Sequence, residues 1–258
     1  MRRPRLRTLG TILIVVGVLV GAWVLAVWQW KDPFTSLYTL YRQHQLGDDY
    51  DERLDAWRRT APQTRPQGSL ASVRQTLAAE ARRYRKSSER GDAIGKIAVP
   101  RLGIDMFLVN GTDGSSLEKG PGRDLRTYMP GQGELVYIAG HRTTFLAPFA
   151  DIDRLRRGDR IVLTLPYATF RYSVTGHTIV PADDVARLRS HGREVVTLQA
   201  CHPRFFATHR YLVYARPESV ELPSGRAYSY SAAGRLTTGS APASLRVSPR
   251  TTVASPSS

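Results

Sequence analysis

The sequence predicts an all-β domain, a small barrel or a sandwich, between residues 93 and 221 of the 258-residue chain. Short runs rich in Val, Ile, Leu and aromatic residues recur there, and Gly- and Pro-containing turns separate them. Closely spaced strands joined by turns are typical of barrels and sandwiches. The predicted strands are residues 93–99, 105–109, 134–139, 160–165, 169–180, 194–200 and 210–215. Short helices are predicted at residues 115–119, 145–155 and 182–190.

The segments on either side of this domain have different compositions. Residues 31–92 are polar with apolar side chains at helical spacing, which predicts a helical stalk. A Pro- and Gly-containing linker at residues 60–68 divides this stalk. Residues 222–258 are rich in Ser, Thr, Pro, Ala and Gly. This segment has too few large apolar groups to fold alone, so we expect a disordered tail.

An uncharged, apolar run begins at Thr8 and ends at Trp30, directly after four arginines. A helix of this length would cross the hydrocarbon core of a bilayer, and the preceding positive charge would keep the N-terminus in the cytoplasm. Residues 1–30 are therefore predicted to be a basic end and a single transmembrane anchor, with the following domain outside the cytoplasm. A cleaved signal peptide is the alternative, although the run is long and lacks a clear small-x-small cleavage site.

The formal net charge is +15 at pH 7, but much of it lies outside the predicted domain. Residues 93–221 carry 17 basic and 13 acidic side chains, an excess of only four. Nucleic-acid binding needs basic residues clustered on a recognisable binding module, so we expect no nucleic-acid partner. The positive ends of the chain suit anionic lipid or wall polymer, or they are simply solvated surface.

Cys201 is the single cysteine of the chain and follows the strand predicted at residues 194–200. A thiol without a partner in its own chain, beside polar residues at a strand end, is a candidate nucleophile. A small buried side chain is the alternative, because most free cysteines are buried. Outside the cytoplasm, lone thiols tend to be oxidised unless function retains them, which favours the nucleophile.

A cysteine nucleophile usually requires a partner that supplies or removes a proton. His141 ends a predicted strand and opens the polar turn His-Arg-Thr-Thr. His202 is adjacent to Cys201, so in extended chain its side chain points to the opposite face. His209 is also close to Cys201 in sequence, whereas His44 lies in the stalk and His177 and His191 follow weaker strand or loop segments. His141 is therefore the preferred candidate.

Three stretches resemble the bacterial sortases, transpeptidases that attach proteins to cell walls. They are Ala-Gly-His-Arg at residues 139–142, Thr-Leu-Gln-Ala-Cys at residues 197–201, and Arg210 after the cysteine. Further matching motifs follow in collinear order at residues 95–104, 119–122, 129–131 and 155–159. The resemblance covers roughly residues 93–221. The Ala-Gly-His-Arg-Thr-Thr and Cys-His-Pro runs most resemble the class E sortases of high-GC Gram-positive bacteria.

The resemblance implies an eight-stranded β-barrel with short helices and a division of roles among three residues. Cys201 would attack the Thr–Gly bond of a Leu-Pro-x-Thr-Gly or Leu-Ala-x-Thr-Gly sorting signal on a secreted protein and form a thioacyl enzyme. An amine on a peptidoglycan precursor, or another acceptor, would resolve it. His141 would protonate the leaving amine. Arg210 would hold the substrate and stabilise the oxyanion, because a fixed guanidinium offers hydrogen-bond donors where negative charge develops. Arg204, in the loop, and Arg216, near the strand's end, are weaker candidates.

Two positions depart from the family pattern. Ala200 stands where the family usually has Thr before the cysteine, which removes a hydroxyl that could contact the substrate or the oxyanion. Asp124 stands where class E typically has Tyr in a Gly-Pro-Gly-His-Tyr run, so a short carboxylate replaces an aromatic ring near the second substrate position. This replacement predicts a relaxed choice between proline and alanine there.

No metal or other cofactor is predicted, because Asp151, Asp153, Asp183 and Asp184 lack the ligand spacing of a calcium site. Two alternatives to a sortase are another envelope cysteine transpeptidase or hydrolase and a non-catalytic envelope-binding module. The L,D-transpeptidases carry a Ser-x-Gly-Cys-type run, which Leu-Gln-Ala-Cys-His does not resemble. A module that binds anionic polymer through its basic ends would have no need of Cys201.

Overall fold

The computed structural model describes residues 3–29, 33–60, 69–232 and 234–237. Four α-helices occur in these ranges: α1 (Arg3–Gln29), α2 (Pro33–Thr60), α3 (Leu70–Ser87) and the short α4 (Gly114–Leu117). Ser69 caps α3, because its side chain accepts a hydrogen bond from the backbone N–H of Ser72. The linker predicted at residues 60–68 lies, apart from its first residue, outside the described residues.

Ten strands form one sheet in the described part of the chain. They are β1 (Ala93–Val99), β2 (Ile104–Asn110), β3 (Gly122–Arg123), β4 (Leu135–Ala139), β5 (Arg160–Leu165), β6 (Ala168–Pro181), β7 (Val195–His202), β8 (His209–Glu221), β9 (Ala227–Tyr230) and β10 (Leu236–Thr237). Their order in the sheet is β10-β9-β8-β6-β5-β1-β2-β3-β4-β7, and β7 also pairs with β8. The β7–β8 pairing closes β1–β8 into an eight-stranded barrel, the architecture that the sequence predicted. Strands β9 and β10 extend the sheet from β8.

Strand β7 has two different faces, because alternate residues of a strand point to opposite sides. Val196, Leu198 and Ala200 are fully buried in the main core of the barrel. Val195, on the other face, packs on a smaller apolar cluster that includes Tyr137. Cys201 has the parity of this second face, so the pleat directs its side chain away from the barrel core.

The segment predicted as a stalk contributes side chains to the core of the domain. Trp57 of α2 and Tyr84 of α3 pack edge to face, with ring centroids 5.1 Å apart. Both rings also lie beside Tyr167, which precedes β6. The Tyr84 hydroxyl donates to the carbonyl of Ile94 at 3.0 Å. These contacts join α2 and α3 to the barrel, which the polar composition of residues 31–92 did not predict.

The N-terminal half of α2 docks along the edge of β2. The Gln43 side chain accepts from the backbone N–H of Phe107 at 2.7 Å and donates to its carbonyl at 3.2 Å. Gln43 thereby occupies backbone groups of β2 that its short neighbour β3 does not reach. Thr39, which is fully buried, donates to the carbonyl of Glu118 at 2.8 Å.

The helix predicted at residues 145–155 is wrong over most of its length. Phe145, Leu146 and Ala147 have φ angles of 52°, 62° and 42°, in the left-handed region. Successive non-glycine residues in that region cannot begin a right-handed helix. Only Ile152–Arg154 forms a 3₁₀ turn, and the helix predicted at residues 182–190 is reduced to a 3₁₀ turn at Val185–Leu188.

The disordered tail predicted from residue 222 is also wrong where β9 and β10 form. Leu236 is buried, and Tyr228 and Tyr230 pack against the main core. These few large side chains anchor β9, which pairs with β8, and β10, which pairs with β9. A composition averaged over the whole segment hides them. Residues 238–258 of the predicted tail lie outside the described residues.

The transmembrane helix predicted within residues 1–30 is not supported by the structure. Among the described residues, no helix combines the length and the apolar character needed to cross a bilayer. Trp30, the last residue of the predicted run, lies outside the described residues.

Candidate active site

Cys201 and Arg210 lie opposite each other at the end of β7 and the start of β8. Their Cα positions are register partners in the antiparallel β7–β8 pair. Side chains of directly opposed residues share one face of a sheet and can interact. Cys201 is half-buried and is a free thiol. The structure therefore brings together two of the three residues that the sequence singled out.

His141 reaches the same end of the sheet from the other side of β7. Strand β4 runs parallel to β7, with Ala139 as the register partner of Gln199. The backbone N–H of Gly140 then donates to the carbonyl of Gln199 at 3.0 Å. His141 follows Gly140 directly, so the end of β4 brings it to the end of the sheet where Cys201 lies. Arg210 reaches the same end from β8, on the other side of β7.

The His141 ring is half-buried beneath Phe145, with ring centroids 5.0 Å apart. Its Nε2 atom is buried and has no hydrogen-bond partner among the described residues. Burial lowers the pKa of His141 below the ordinary histidine value, and the Glu118 carboxylate opposes this shift. The site therefore favours the neutral imidazole and leaves one ring nitrogen free to exchange a proton.

Phe145 is held over His141 by the first turns of α2. The backbone N–H of Phe145 donates to the Thr35 hydroxyl at 2.9 Å. The Tyr38 ring meets the Phe145 ring edge to face, at 6.4 Å between centroids. A segment distant in sequence thus contributes to the burial that lowers the pKa of His141. Sequence reasoning missed both α2 and Phe145 as parts of the site.

The Arg210 guanidinium is fixed by two backbone carbonyls of the β7–β8 connection. Its Nη1 donates to Ala207 at 2.8 Å and to His209 at 3.0 Å. No carboxylate in the described ranges forms an ion pair with it. The positive charge of Arg210 is therefore oriented by neutral groups and is not cancelled by an acid.

Further polar side chains extend this face toward β3. The Tyr137 hydroxyl lies 3.4 Å from Oε1 of Gln199 and donates to it. Asp124 is bonded to the same strand, because its backbone N–H donates to the carbonyl of Tyr137 at 2.8 Å. The Asp124 carboxylate is buried and accepts two hydrogen bonds from the Arg126 guanidinium, at 2.9 and 2.6 Å. Burial alone would raise the pKa of Asp124, but the hydrogen bonds and the charge of Arg126 outweigh it and lower the pKa.

Ala200 lies on the opposite face from Cys201 and is fully buried in the main core. A threonine at this position would direct its hydroxyl toward the barrel interior. The structure therefore does not support the expected contact between such a hydroxyl and the substrate. Alanine in place of the family's threonine at position 200 therefore changes the packing of the barrel core.

The other candidates are engaged elsewhere. His177 stacks on Tyr211, with ring centroids 5.2 Å apart. Arg204 forms an ion pair with Asp151 at 2.9 Å, and Arg216 lies within β8 as the register partner of Ser173. No cluster of His, Cys, Asp or Glu in the described ranges has the arrangement of a metal site.

Comparison with known proteins matches residues 97–218 to the family model of the Sortase domain. Sortase D of Bacillus subtilis (strain 168) is 32% identical over 132 residues, 50% of this chain and 65% of that protein. Sortase A of Bacillus anthracis is 27% identical over 128 residues, 49% of this chain and 60% of that protein. In structure, a Clostridium perfringens Sortase D5 transpeptidase aligns with a TM-score of 0.52 at 22% identity, over 69% of this chain and 98% of that one.

A closed barrel that presents a free cysteine opposite an arginine, with a histidine loop at the same end of the sheet, is a candidate cysteine-nucleophile site on a β-barrel. Residues 97–218 match the sortase family, which identifies this region as a sortase domain. It spans less than two thirds of the length of the curated relatives it matches. These relatives are named as classes D and A, so the resemblance to class E stays a prediction. The structural likeness, at 22% identity, supports the fold alone.

Proposed function

We propose that the protein is a cysteine transpeptidase of the sortase type. The observation that supports this proposal is the register of three adjacent strands: β7 and β8 pair Cys201 with Arg210, and the parallel β4 ends two residues before His141 at the same end of the sheet. The three residues come from distant parts of the chain, and a purely structural cysteine would need neither neighbour. The family match over residues 97–218 agrees with this assignment.

In the first half of the proposed reaction, the Cys201 thiol gives its proton to the neutral His141, and the sulfur attacks the carbonyl carbon of the Thr–Gly bond as a thiolate. The carbonyl oxygen becomes an oxyanion, for which the fixed Arg210 guanidinium is a suitable donor. The C–N bond then breaks, and His141 gives a proton to the departing glycine nitrogen. A thioester between Cys201 and the threonine carbonyl remains.

In the second half, an acceptor amine attacks the thioester carbonyl and loses a proton to the neutral His141. The C–S bond breaks, the new amide forms, and Cys201 is regenerated. We propose a sorting signal of the Leu-Pro-x-Thr-Gly or Leu-Ala-x-Thr-Gly type on a secreted protein as the first substrate. A peptidoglycan precursor or another cell-wall amine is the proposed acceptor.

The full chain, incubated with a peptide library of this type and an oligoglycine amine, tests the reaction. Mass spectrometry should show cleavage after threonine and a product extended by the amine, and Cys201→Ala should show neither. A sorting-signal chloromethyl ketone should also label the wild-type chain at Cys201. Absence of both cleavage and labelling would favour a non-catalytic envelope module, whereas cleavage at a different bond would indicate another cysteine hydrolase.

We also propose that the domain works outside the cytoplasm, tethered by residues 1–30. The support is the arginine cluster followed by an uncharged run in the sequence. Because no described helix meets the requirements of a membrane span, tethering and location need separate tests. Carbonate extraction of membranes reports tethering, and protease added to intact protoplasts reports location. Protection of the domain from that protease would contradict the proposed location.

A further inference from the structure

Arg142 follows His141 directly and is one of the most buried charged side chains in the described part of the domain, with 6% of its surface exposed. The neighbouring His141 ring packs against Phe145, whereas Arg142 reaches the end of β7. There the Arg142 guanidinium lies 5.8 Å from the centroid of the Tyr211 ring. The proposed reaction assigns no role to Arg142.

The guanidinium contacts four groups. Nη1 donates to the carbonyl of Cys201 at 3.3 Å and to Nδ1 of His202 at 3.0 Å. Nε donates to the carbonyl of Ala150 at 3.3 Å. Nη2 forms an ion pair with Asp153 at 2.8 Å. Only Asp153 carries a negative charge, and its side chain is 47% exposed.

These contacts connect three separate pieces of chain. One is the loop that begins at His141 and carries Phe145. The second is the 3₁₀ turn Ile152–Arg154, which supplies Asp153. The third is the end of β7, where the peptide group of Cys201 accepts the hydrogen bond. The planar guanidinium spans all three with a fixed geometry, which a lysine ammonium cannot reproduce.

From this geometry, and resting on the proposed function, we propose that Arg142 is a positioning residue for the reaction. It sets the location of the Cys201 peptide relative to the His141 loop and does not touch the sulfur. Displacement of reacting groups by about 1 Å can lower a rate about a hundredfold. We call this set of Arg142 contacts the clamp. Because it joins the segments that carry the nucleophile and the acid/base, its loss should lower the reaction rate.

The clamp also assigns a role to His202. Arginine has donors only, so Nδ1 of His202 must accept, and the proton of the neutral ring is on Nε2. A ring held in this way on the far face of β7 acts as a support for the strand end. The two histidines therefore differ in role: His202 is held by Arg142, whereas Nε2 of His141 has no partner among the described residues.

Steady-state kinetics of the full chain with a cleaved peptide tests the proposal. Arg142→Ala should lower kcat about 30- to 100-fold and Arg142→Lys about tenfold, with KM changed less than about threefold. Arg154→Ala is the matched control: Arg154 lies on the same turn, is 74% exposed and pairs with Asp151 at 3.6 Å. The control should stay within about twofold of wild type. Equal kcat values for Arg142→Lys and wild type would overturn the proposal.

Two further measurements distinguish positioning from a contribution to stability alone. Guanidinium ion added at millimolar concentration should partly restore kcat in Arg142→Ala and have no effect on wild type. NMR of histidine-labelled protein should show His202 as the Nε2–H tautomer in wild type and a mixture of tautomers in Arg142→Lys. A lowered Tm with no rescue and an unchanged His202 tautomer would show that Arg142 only stabilises the fold.

If Arg142→Ala does not fold, Asp153→Ala provides a milder variant. It removes the charged partner that orients the guanidinium and should lower kcat about threefold or more, with a mixture of His202 tautomers. Normal kcat together with an unchanged tautomer would contradict the clamp. The NMR measurement does not depend on the substrate. If no peptide is cleaved by the wild-type chain, the proposed function fails, while the His202 tautomer still tests the contact.

Discussion

Cys201 and Arg210 are cross-strand partners at the point where β7 and β8 end their pairing. The antiparallel register places both side chains on one face, and the parallel β4–β7 pairing, which ends at Ala139 and Gln199, brings the loop with His141 to the same end of the sheet. The geometry of the site therefore depends on two hydrogen-bond ladders.

The three residues should act as one unit. Cys201→Ala should abolish cleavage and thioacyl formation, because the chain contains no other cysteine. His141→Ala and Arg210→Ala should each lower kcat/KM at least about a hundredfold, the scale of losing an acid/base group or an oxyanion donor. Peptide cleavage followed by mass spectrometry measures the loss, and circular dichroism checks the fold.

His202→Ala is the control for the histidine assignment. His202 lies on the opposite face of β7 and contacts Arg142 through Nδ1. Its loss should lower kcat less than about tenfold, since one support is removed but the acid/base group stays. If His202→Ala proved as damaging as His141→Ala with folding unaffected, the assignment of His141 would be wrong.

Phe145→Ala should raise the pKa of His141 toward the ordinary histidine value, because burial is the main cause of its lowering. The neutral ring must take a proton in the proposed reaction, so activity that depends on His141 rises as pH rises through its pKa. In the variant this rise should move to higher pH. NMR titration of His141 measures the pKa, and Phe206→Ala, at a ring 77% exposed in the β7–β8 loop, should leave it unchanged. If the pKa of His141 stayed the same in Phe145→Ala, groups other than Phe145 would be responsible for burying the His141 ring.

The same lowered pKa affects stability. In the folded chain His141 loses its proton at a lower pH than in the unfolded chain. The unfolded state therefore binds more protons between the two pKa values, and the free energy of unfolding falls as pH decreases through that window. Phe145→Ala should reduce this pH dependence, although the lost packing lowers stability at every pH.

Glu194 should produce the opposite pH dependence. Its carboxylate accepts from the backbone N–H groups of Gly131 and Gly133, each at 3.0 Å, and from the buried Tyr172 hydroxyl at 2.6 Å. Burial nevertheless raises the pKa of Glu194 above its ordinary value. The folded chain then holds a proton that the unfolded chain has lost, so the free energy of unfolding falls as pH rises through that window.

Glu194→Gln removes this titration and keeps an oxygen that can accept hydrogen bonds. Its stability relative to wild type should therefore increase as pH rises from the ordinary glutamate pKa to neutrality. Urea unfolding at a series of pH values measures the trend. Glu218→Gln, at a surface residue that is 48% exposed, serves as the control. Parallel pH curves for wild type and Glu194→Gln would refute the proposed burial effect.

The choice of sorting signal should be relaxed at the second position. Asp124 is bound to Arg126 and does not present an aromatic ring there. Discrimination by a small apolar contact is worth only about 1–3 kcal/mol. We therefore expect Leu-Pro-x-Thr-Gly and Leu-Ala-x-Thr-Gly peptides to be cleaved within about tenfold of each other, or about 1.4 kcal/mol. Competition of the two peptides for one enzyme sample measures the ratio of their specificity constants.

A hundredfold preference for the alanine peptide would contradict this expectation and point to another aromatic residue. Tyr128 is a poor candidate, because its ring lies under the Arg85 guanidinium of α3, 4.9 Å from the centroid. Tyr137 is closer to the position, since its carbonyl accepts from the backbone N–H of Asp124. Tyr137→Ala would then be the variant to make, with Tyr128→Ala as its control.

Strand positions were largely predictable, because period-two patterns and turn residues are local properties of the chain. The predictions for β1 and β5 match the structure residue for residue. The two-residue β3 was missed, since no periodicity can be read from two residues. The loop at Phe145 was misread as a helix, because its left-handed backbone is stabilised by contacts with α2 that lie far away in sequence.

The sequence by itself was enough to predict the family resemblance, the candidate nucleophile and its two candidate partners, because these are matters of residue type and motif order along one strand or turn. Only the tertiary structure decided what surrounds them. The burial of His141 beneath Phe145, the clamp from Arg142 to the Cys201 carbonyl and the inward position of Ala200 all depend on which elements meet. Such contacts follow from strand register and helix docking. Both are set by the summed packing of the whole domain, so no local pattern in the chain encodes them.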